Sequence, residues 1–186
     1  MLRHPAPILA FTAATLVSAC GAAPSAKSPA AARTACEAGA VGPPCALIGT
    51  APEPWRQPDL TGAMQSVPPT RGRPAIVDFW SVDCAPCKRA MPALSALHTE
   101  RGVPVVGVSL DTNPGRVLSI ARDLGVSYPI IIDDQRAVAG RYKIGADVPR
   151  LFVVDAHGTV RAVFDGADDA VTRAAAVWET LSRGGE

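Results

Sequence analysis

The sequence predicts an α/β domain with a central mixed sheet flanked by helices, and three observations predict it. From Ala75 onward, short apolar runs of strand length alternate with stretches whose apolar residues recur at helical spacing, the pattern of strands joined by packed helices. One run, Val103 to Leu110, is almost continuously apolar, as a strand covered on both faces is. The last two runs, Arg150 to Val154 and Thr159 to Phe164, flank the turn Ala156-His157-Gly158 and read as an antiparallel hairpin, which makes the sheet mixed.

The 186-residue chain has room for one medium domain plus appendages, and its formal net charge of +1 comes without a basic run, which argues against nucleic acid as a partner. Arg3 and His4 precede an apolar segment ending at Leu16-Val17-Ser18-Ala19-Cys20. Residues 1–19 therefore read as a signal peptide whose apolar stretch is too short for a permanent membrane-spanning helix. Val17-Ser18-Ala19-Cys20 resembles a bacterial lipobox, which implies cleavage before Cys20, a lipid on its sulfur and anchoring to a membrane. The plain alternative is an ordinary signal peptide that leaves Cys20 free. Residues 20–54 are crowded with Ala, Pro, Ser and Gly and lack periodicity, so they read as a linker. Cys36 and Cys45 within it read, in an exported chain, as a small disulfide loop rather than a second redox or metal pair, since neither lies at a strand-to-helix junction.

The domain itself is expected over residues 55–186. Trp55 to Leu60, the Thr61-Gly62 turn and a weak strand lead to a proline-rich loop, and Ala75 to Trp80 is the central strand. A helix follows to about Thr99, with Met91, Leu94 and Leu97 on one side, and a second spans Asn113 to Leu124, with Val117, Ile120, Ala121 and Leu124 at helical spacing. Pro129 to Asp133 is a short strand and Gln135 to Tyr142 a short helix. A final helix from about Asp168 presents Val171, Ala174, Val177, Trp178 and Leu181 to the core.

Chemistry concentrates where the central strand ends. Cys84-Ala85-Pro86-Cys87 falls at a strand-to-helix junction, where unpaired backbone N–H groups and the helix dipole favour an anion, so Cys84 is expected to attack as thiolate and Cys87, one turn in, to resolve. Pro86 fits the first helical turn, where its missing N–H costs nothing. Asp78 places a carboxylate in the middle of an apolar strand, which is costly to bury unless it is used. Asp83, one residue before the first cysteine, opposes the helix N-terminus by putting a like charge beside the thiolate.

Asp78-Phe79-Trp80 ahead of the Cys-x-x-Cys, Lys88 after it, and Met91-Pro92 further along the helix resemble thioredoxin-like thiol-disulfide oxidoreductases of the TlpA and ResA type. Tyr142 to Pro149, followed by Leu151 to Val160, looks like that family's cis-proline loop, strand and hairpin. The resemblance covers roughly Trp55 to Leu181. It implies a thioredoxin-like fold, with Asp111 to Ile132 as an extra helix-strand insertion, and a cis bond between Val148 and Pro149. Val148, Pro149, Asp83, Ala85 and Pro86 would then face the client, and Asp78 would move the proton of Cys87. It further implies an extracytoplasmic enzyme that reduces disulfide-containing client proteins and needs no cofactor beyond the Cys84/Cys87 couple. A transmembrane thiol-electron donor would recharge it.

Three positions depart from the family pattern: Asp83 where a tryptophan is usual, Ala90 where ResA-type proteins carry a glutamate, and Arg150 where threonine is common after the cis-proline. Two rivals stay open. Ser81-x-x-Cys84 is half of a peroxiredoxin signature, and the fold could serve a non-catalytic lipoprotein or metal carrier. No metal site is expected, since His98 and His157 offer no partner motif to the cysteines. Asp78 and Pro149 have duller readings too, as a solvated or hydrogen-bonded structural carboxylate and as a strand's first residue.

Overall fold

Six strands reach the main sheet in an order that brings the apolar run at Ala75 to its middle. The computed structural model describes residues 35–36, 43–70, 72–165 and 169–184. In chain order its elements are β1 (Ala35–Cys36), a 3-10 helix (Pro43–Leu47), β2 (Trp55–Pro58), β3 (Met64–Val67), β4 (Ala75–Trp80), α1 (Ala85–Arg101), β5 (Val105–Ser109), α2 (Pro114–Asp123), β6 (Ile130–Ile132), α3 (Ala137–Arg141), β7 (Arg150–Val154), β8 (Val160–Asp165) and α4 (Ala170–Arg183). The sheet order is β1-β8-β7-β4-β5-β6, with β2 and β3 as a separate antiparallel hairpin. β4 runs parallel to β5 and antiparallel to β7, so the sheet is mixed, as the hairpin of β7 and β8 predicts.

Every residue of β4 is buried, Asp78 included, as expected of an otherwise apolar strand covered on both faces. Ile76 and Trp80 pack with Met91 and Leu94 of α1 and Ala174 of α4. Val77 and Phe79 point the other way and pack with Phe152, Val138 and Tyr142. There the rings of Phe79, Tyr142 and Phe152 meet with centroids 4.9 to 5.6 Å apart. Each such fully buried side chain contributes about 1.5–3 kcal/mol relative to exposure. The last helix begins at Ala170 and buries Val171 and Ala174, while Val177, Trp178 and Leu181 are only partly covered; Trp178 Nε1 donates to the Pro74 carbonyl at 2.8 Å.

The expected boundary between linker and domain at Trp55 lies inside the fold. β1 pairs parallel with β8, Cys36 opposite Val163, and Leu47 is buried in the core. The Gly49 N–H donates to the Val160 carbonyl at 2.9 Å and the Val160 N–H to the Thr50 carbonyl at 2.8 Å. Physically, β8 would otherwise leave a row of unpaired backbone groups at the sheet edge, and Ala35–Cys36 with Gly49 and Thr50 cover it. The Cys36–Cys45 disulfide, with Cα atoms 5.7 Å apart, ties β1 to the 3-10 helix at this edge. The signal peptide expected at residues 1–19 and the lipidation expected at Cys20 fall outside the described residues. Among the described residues no helix is long and apolar enough to cross a membrane.

Candidate active site

β4 delivers the chain to the sheet's end at Trp80, and α1 starts at Ala85 with Cys84 as its N-cap. Pro86 sits in the first turn, as its sequence position implies. Cys84 and Cys87 are joined as a disulfide with Cα atoms 5.3 Å apart. The Cys87 N–H donates to Cys84 Sγ at 3.1 Å, an orphan donor of the helix N-terminus aimed at the sulfur that would carry negative charge on reduction. The two sulfurs differ in access: Cys84 is half-buried, Cys87 only 1% exposed.

The loop between strand and helix is fastened to the insertion. The Val82 N–H and the Ser109 hydroxyl both donate to Asp111 Oδ2, at 2.9 and 2.8 Å. Asp83 meets the guanidinium of Arg116, on α2, at 2.8 Å. The sequence reading of Asp83 lacked this partner: the carboxylate beside Cys84 meets an opposing guanidinium from a residue 33 positions further on, in an exposed ion pair. The pairing in turn pushes the Arg116 guanidinium further up from its ordinary range.

Asp78 is 2% exposed and shares the α1-facing side of β4 with Ile76 and Trp80. Burial raises its carboxyl to about 7, against the opposing effect of a hydrogen bond donated by the Tyr128 hydroxyl at 3.3 Å. Its buried placement removes the reading of a solvated carboxylate. Tyr128 was not singled out by the sequence. Its only signal there is an aromatic residue ahead of a short apolar run, and nothing in the spacing relates it to a residue 50 positions earlier.

The Val148–Pro149 bond is cis. Pro149 immediately precedes β7, whose Arg150 pairs with Phe79, so the proline stands at the end of β4 from which the cysteine loop leaves. Val148 packs partly buried against the cluster that holds Cys84 and Cys87. The departures from the family pattern are absorbed structurally. Ala90 is core, and Arg150, 9% exposed, forms an ion pair with Asp165 across the β7–β8 hairpin on the Phe79 side. Ala85 is exposed and Pro86 half-buried between the cysteines. A second cis bond, Val67–Pro68, lies at the end of β3. Among the described residues no three His, Cys, Asp or Glu side chains gather as a metal cage.

The sequence matches the AhpC/TSA family over residues 49–163. Thiol-disulfide oxidoreductase ResA of Geobacillus thermodenitrificans is 31% identical over 124 residues, covering 65% of this chain and 70% of that protein. Protein DipZ of Mycobacterium bovis is 34% identical over 107 residues, 53% of this chain but 15% of DipZ. Among solved structures, the thioredoxin domain of a thiol-disulfide oxidoreductase from Bacteroides vulgatus superposes with a TM-score of 0.61 at 23% identity, covering 70% of this chain and 97% of that one. StoA from Bacillus subtilis gives 0.58 at 23%, covering 67% and 96%. These structures establish the thioredoxin-like fold. The chain belongs to the AhpC/TSA family and, within it, is a thioredoxin-like thiol-disulfide oxidoreductase of the ResA type.

Proposed function

We propose that this chain works outside the cytoplasm as a protein-disulfide reductase, with Cys84 as nucleophile, Cys87 as resolving thiol and Asp78 as the acceptor of the Cys87 proton. The observation that carries the reading is the asymmetry of the pair: the accessible sulfur caps a helix N-terminus and the inaccessible one lies behind it. The Cys84 thiolate attacks a client disulfide, one client sulfur leaves as thiolate, and a mixed disulfide forms. Cys87 then gives its proton to Asp78 and attacks Cys84 Sγ. The second client sulfur leaves, and the Cys84–Cys87 bond closes with two electrons passed to the client.

The client strand is received by Val148 and Pro149 together with Asp83, Ala85 and Pro86, through backbone groups at the cis-proline. An extracytoplasmic location is supported by the signal-like residues 1–19 and by a second disulfide, Cys36–Cys45, which reducing cytosol would not maintain. A lipid on Cys20 holds the protein at the membrane, and a transmembrane thiol-electron donor returns the couple to the dithiol. Insulin reduction by the dithiol protein, run beside peroxide consumption and metal titration, tests the assignment. Turnover of insulin without peroxide consumption or metal uptake is expected. Peroxide consumption without insulin reduction would make it a peroxidase, and metal uptake alone a carrier.

A further inference from the structure

Resting on the reading of Asp78 as the proton acceptor of Cys87, we propose that Tyr128 is a positioning residue for the resolving step, its hydroxyl holding Asp78 Oδ2 so that Oδ1 is left to take the proton. The hydrogen bond spans 3.3 Å between two side chains that are 2% and 4% exposed. Neither meets solvent that could replace the other.

The surroundings are built to admit this ring. Gly107 of β5 is the register partner of Asp78, and a Cβ there would stand 3.1 Å from Tyr128 Cε2 and 3.3 Å from Trp80 Nε1. The backbone and hydroxyl of Ser127 donate to Ser95 Oγ and to the Ser95 carbonyl, both at 3.3 Å, and so pin the Tyr128 loop to α1. Trp80 Nε1, buried against the same glycine, has no hydrogen-bond partner. A phenylalanine would fill the same space, so packing alone does not call for the hydroxyl.

The buried cluster on the side of the sheet that Asp78 shares with Ile76 and Trp80 is apolar. α4 contributes Ala170, Val171, Ala174 and Ala175, and β7 contributes Leu151 and Val153. α1 contributes Met91 and Cys87, and behind Tyr128 lies His98, edge-on with ring centroids 6.5 Å apart. Burial drives the Asp78 carboxyl up and the Tyr128 hydroxyl alone opposes it, leaving it at about 7, where both protonation states are populated near neutral pH. Without the donor the charged form would lose its partner, and the acceptor would be protonated over more of the working range.

In resolution the Cys87 S–H bond breaks and its proton goes to Asp78 Oδ1. The sulfur's electron pair forms the bond to Cys84 Sγ, the Cys84–client S–S bond breaks, and the client thiolate leaves with that electron pair and takes a proton from water. Mixing the reduced protein with one equivalent of Ellman's reagent separates the steps: the first thionitrobenzoate is released by Cys84 attack, the second by Cys87. With Tyr128→Phe, the pH midpoint of the second phase should rise by roughly half to one unit, slowing it about three- to tenfold below the midpoint, while the first phase keeps its parent midpoint. Asp78→Asn should abolish the midpoint, and adding Tyr128→Phe to it should shift nothing further. Equal slowing at every pH by Tyr128→Phe, while Asp78→Asn still abolishes the midpoint, would overturn the role of Tyr128 alone. A shift that persists in the Asp78→Asn background would place its source outside Asp78 and overturn the positioning role. A parent-like second phase in Asp78→Asn would overturn the proton-acceptor reading itself, and this inference with it.

Discussion

The protein contains two disulfides of nearly the same reach, with Cα atoms 5.3 and 5.7 Å apart, and they stand in opposite chemical settings. Cys84–Cys87 caps an α-helix, receives a backbone N–H on its outer sulfur, and buries its inner sulfur on the face of β4 that also holds a carboxylate. Cys36–Cys45 joins a two-residue edge strand to a 3-10 helix, with Cys36 packed against the opposite, aromatic side of the sheet. The bond is the same. What differs is whether a thiolate would be stabilised once the bond opens, and whether the second sulfur has a group to take its proton. Redox function therefore follows from the helix terminus and the buried acid, and the edge disulfide is left with the work of closing the sheet.

The largest effect expected from probing that contrast comes from the carboxylate. Because the folded carboxyl of Asp78 lies at about 7, well above the ordinary value of 3.8, the folded state binds the proton more tightly than the unfolded chain does. Stability contributed by this group is thus lost as pH rises from about 4 to about 7 and is flat above. Asp78→Asn should raise the melting temperature by several degrees at pH 8, corresponding to a gain on the order of a few kcal/mol, with the gain shrinking toward zero near pH 4. Thermal melts of both proteins across that range check it. A gain that is the same at pH 4 and pH 8 would show that charge is not its source.

A smaller effect is expected at the other disulfide. Replacing Cys36 and Cys45 together by Ser should cost roughly 2–3 kcal/mol, the chain-entropy value for so short a loop, and should leave insulin turnover near that of the parent. Denaturant melts paired with turnover separate the two. Loss of turnover in a folded double variant would mean that the edge pair passes electrons, and the contrast between the two disulfides would disappear.

Much of this arrangement was legible in the chain. The strands Ala75–Trp80, Val105–Ser109 and Arg150–Val154 are buried on both faces and announce themselves by runs that are apolar but for Asp78, Ser109 and Arg150, and α2 by the spacing of Val117 and Ala121. The cysteine pair was legible because a strand-to-helix junction is a local pattern. The edge strand Ala35–Cys36 was not, since two residues have no periodicity and the surrounding Ala and Pro read as linker. Asp83 looked like an uncompensated charge because its partner Arg116 arrives only when the insertion folds over the active-site loop. Tyr128 was hidden for the same reason, as it reaches Asp78 only once β6, which it precedes, pairs with β5 and β5 with β4.

The central claim is that Cys84 attacks and Cys87 resolves, and the most direct measurement is peptide mapping of disulfide-linked adducts after single-cysteine variants of the full chain, reduced beforehand, meet an oxidised client. Cys87→Ser should accumulate one client adduct, on Cys84, because attack survives and resolution does not. Cys84→Ser should accumulate none at the active site and should not turn over insulin. An adduct on Cys87 in the Cys84→Ser variant at a comparable rate, or client adducts carried mainly by Cys36 or Cys45, would contradict the account.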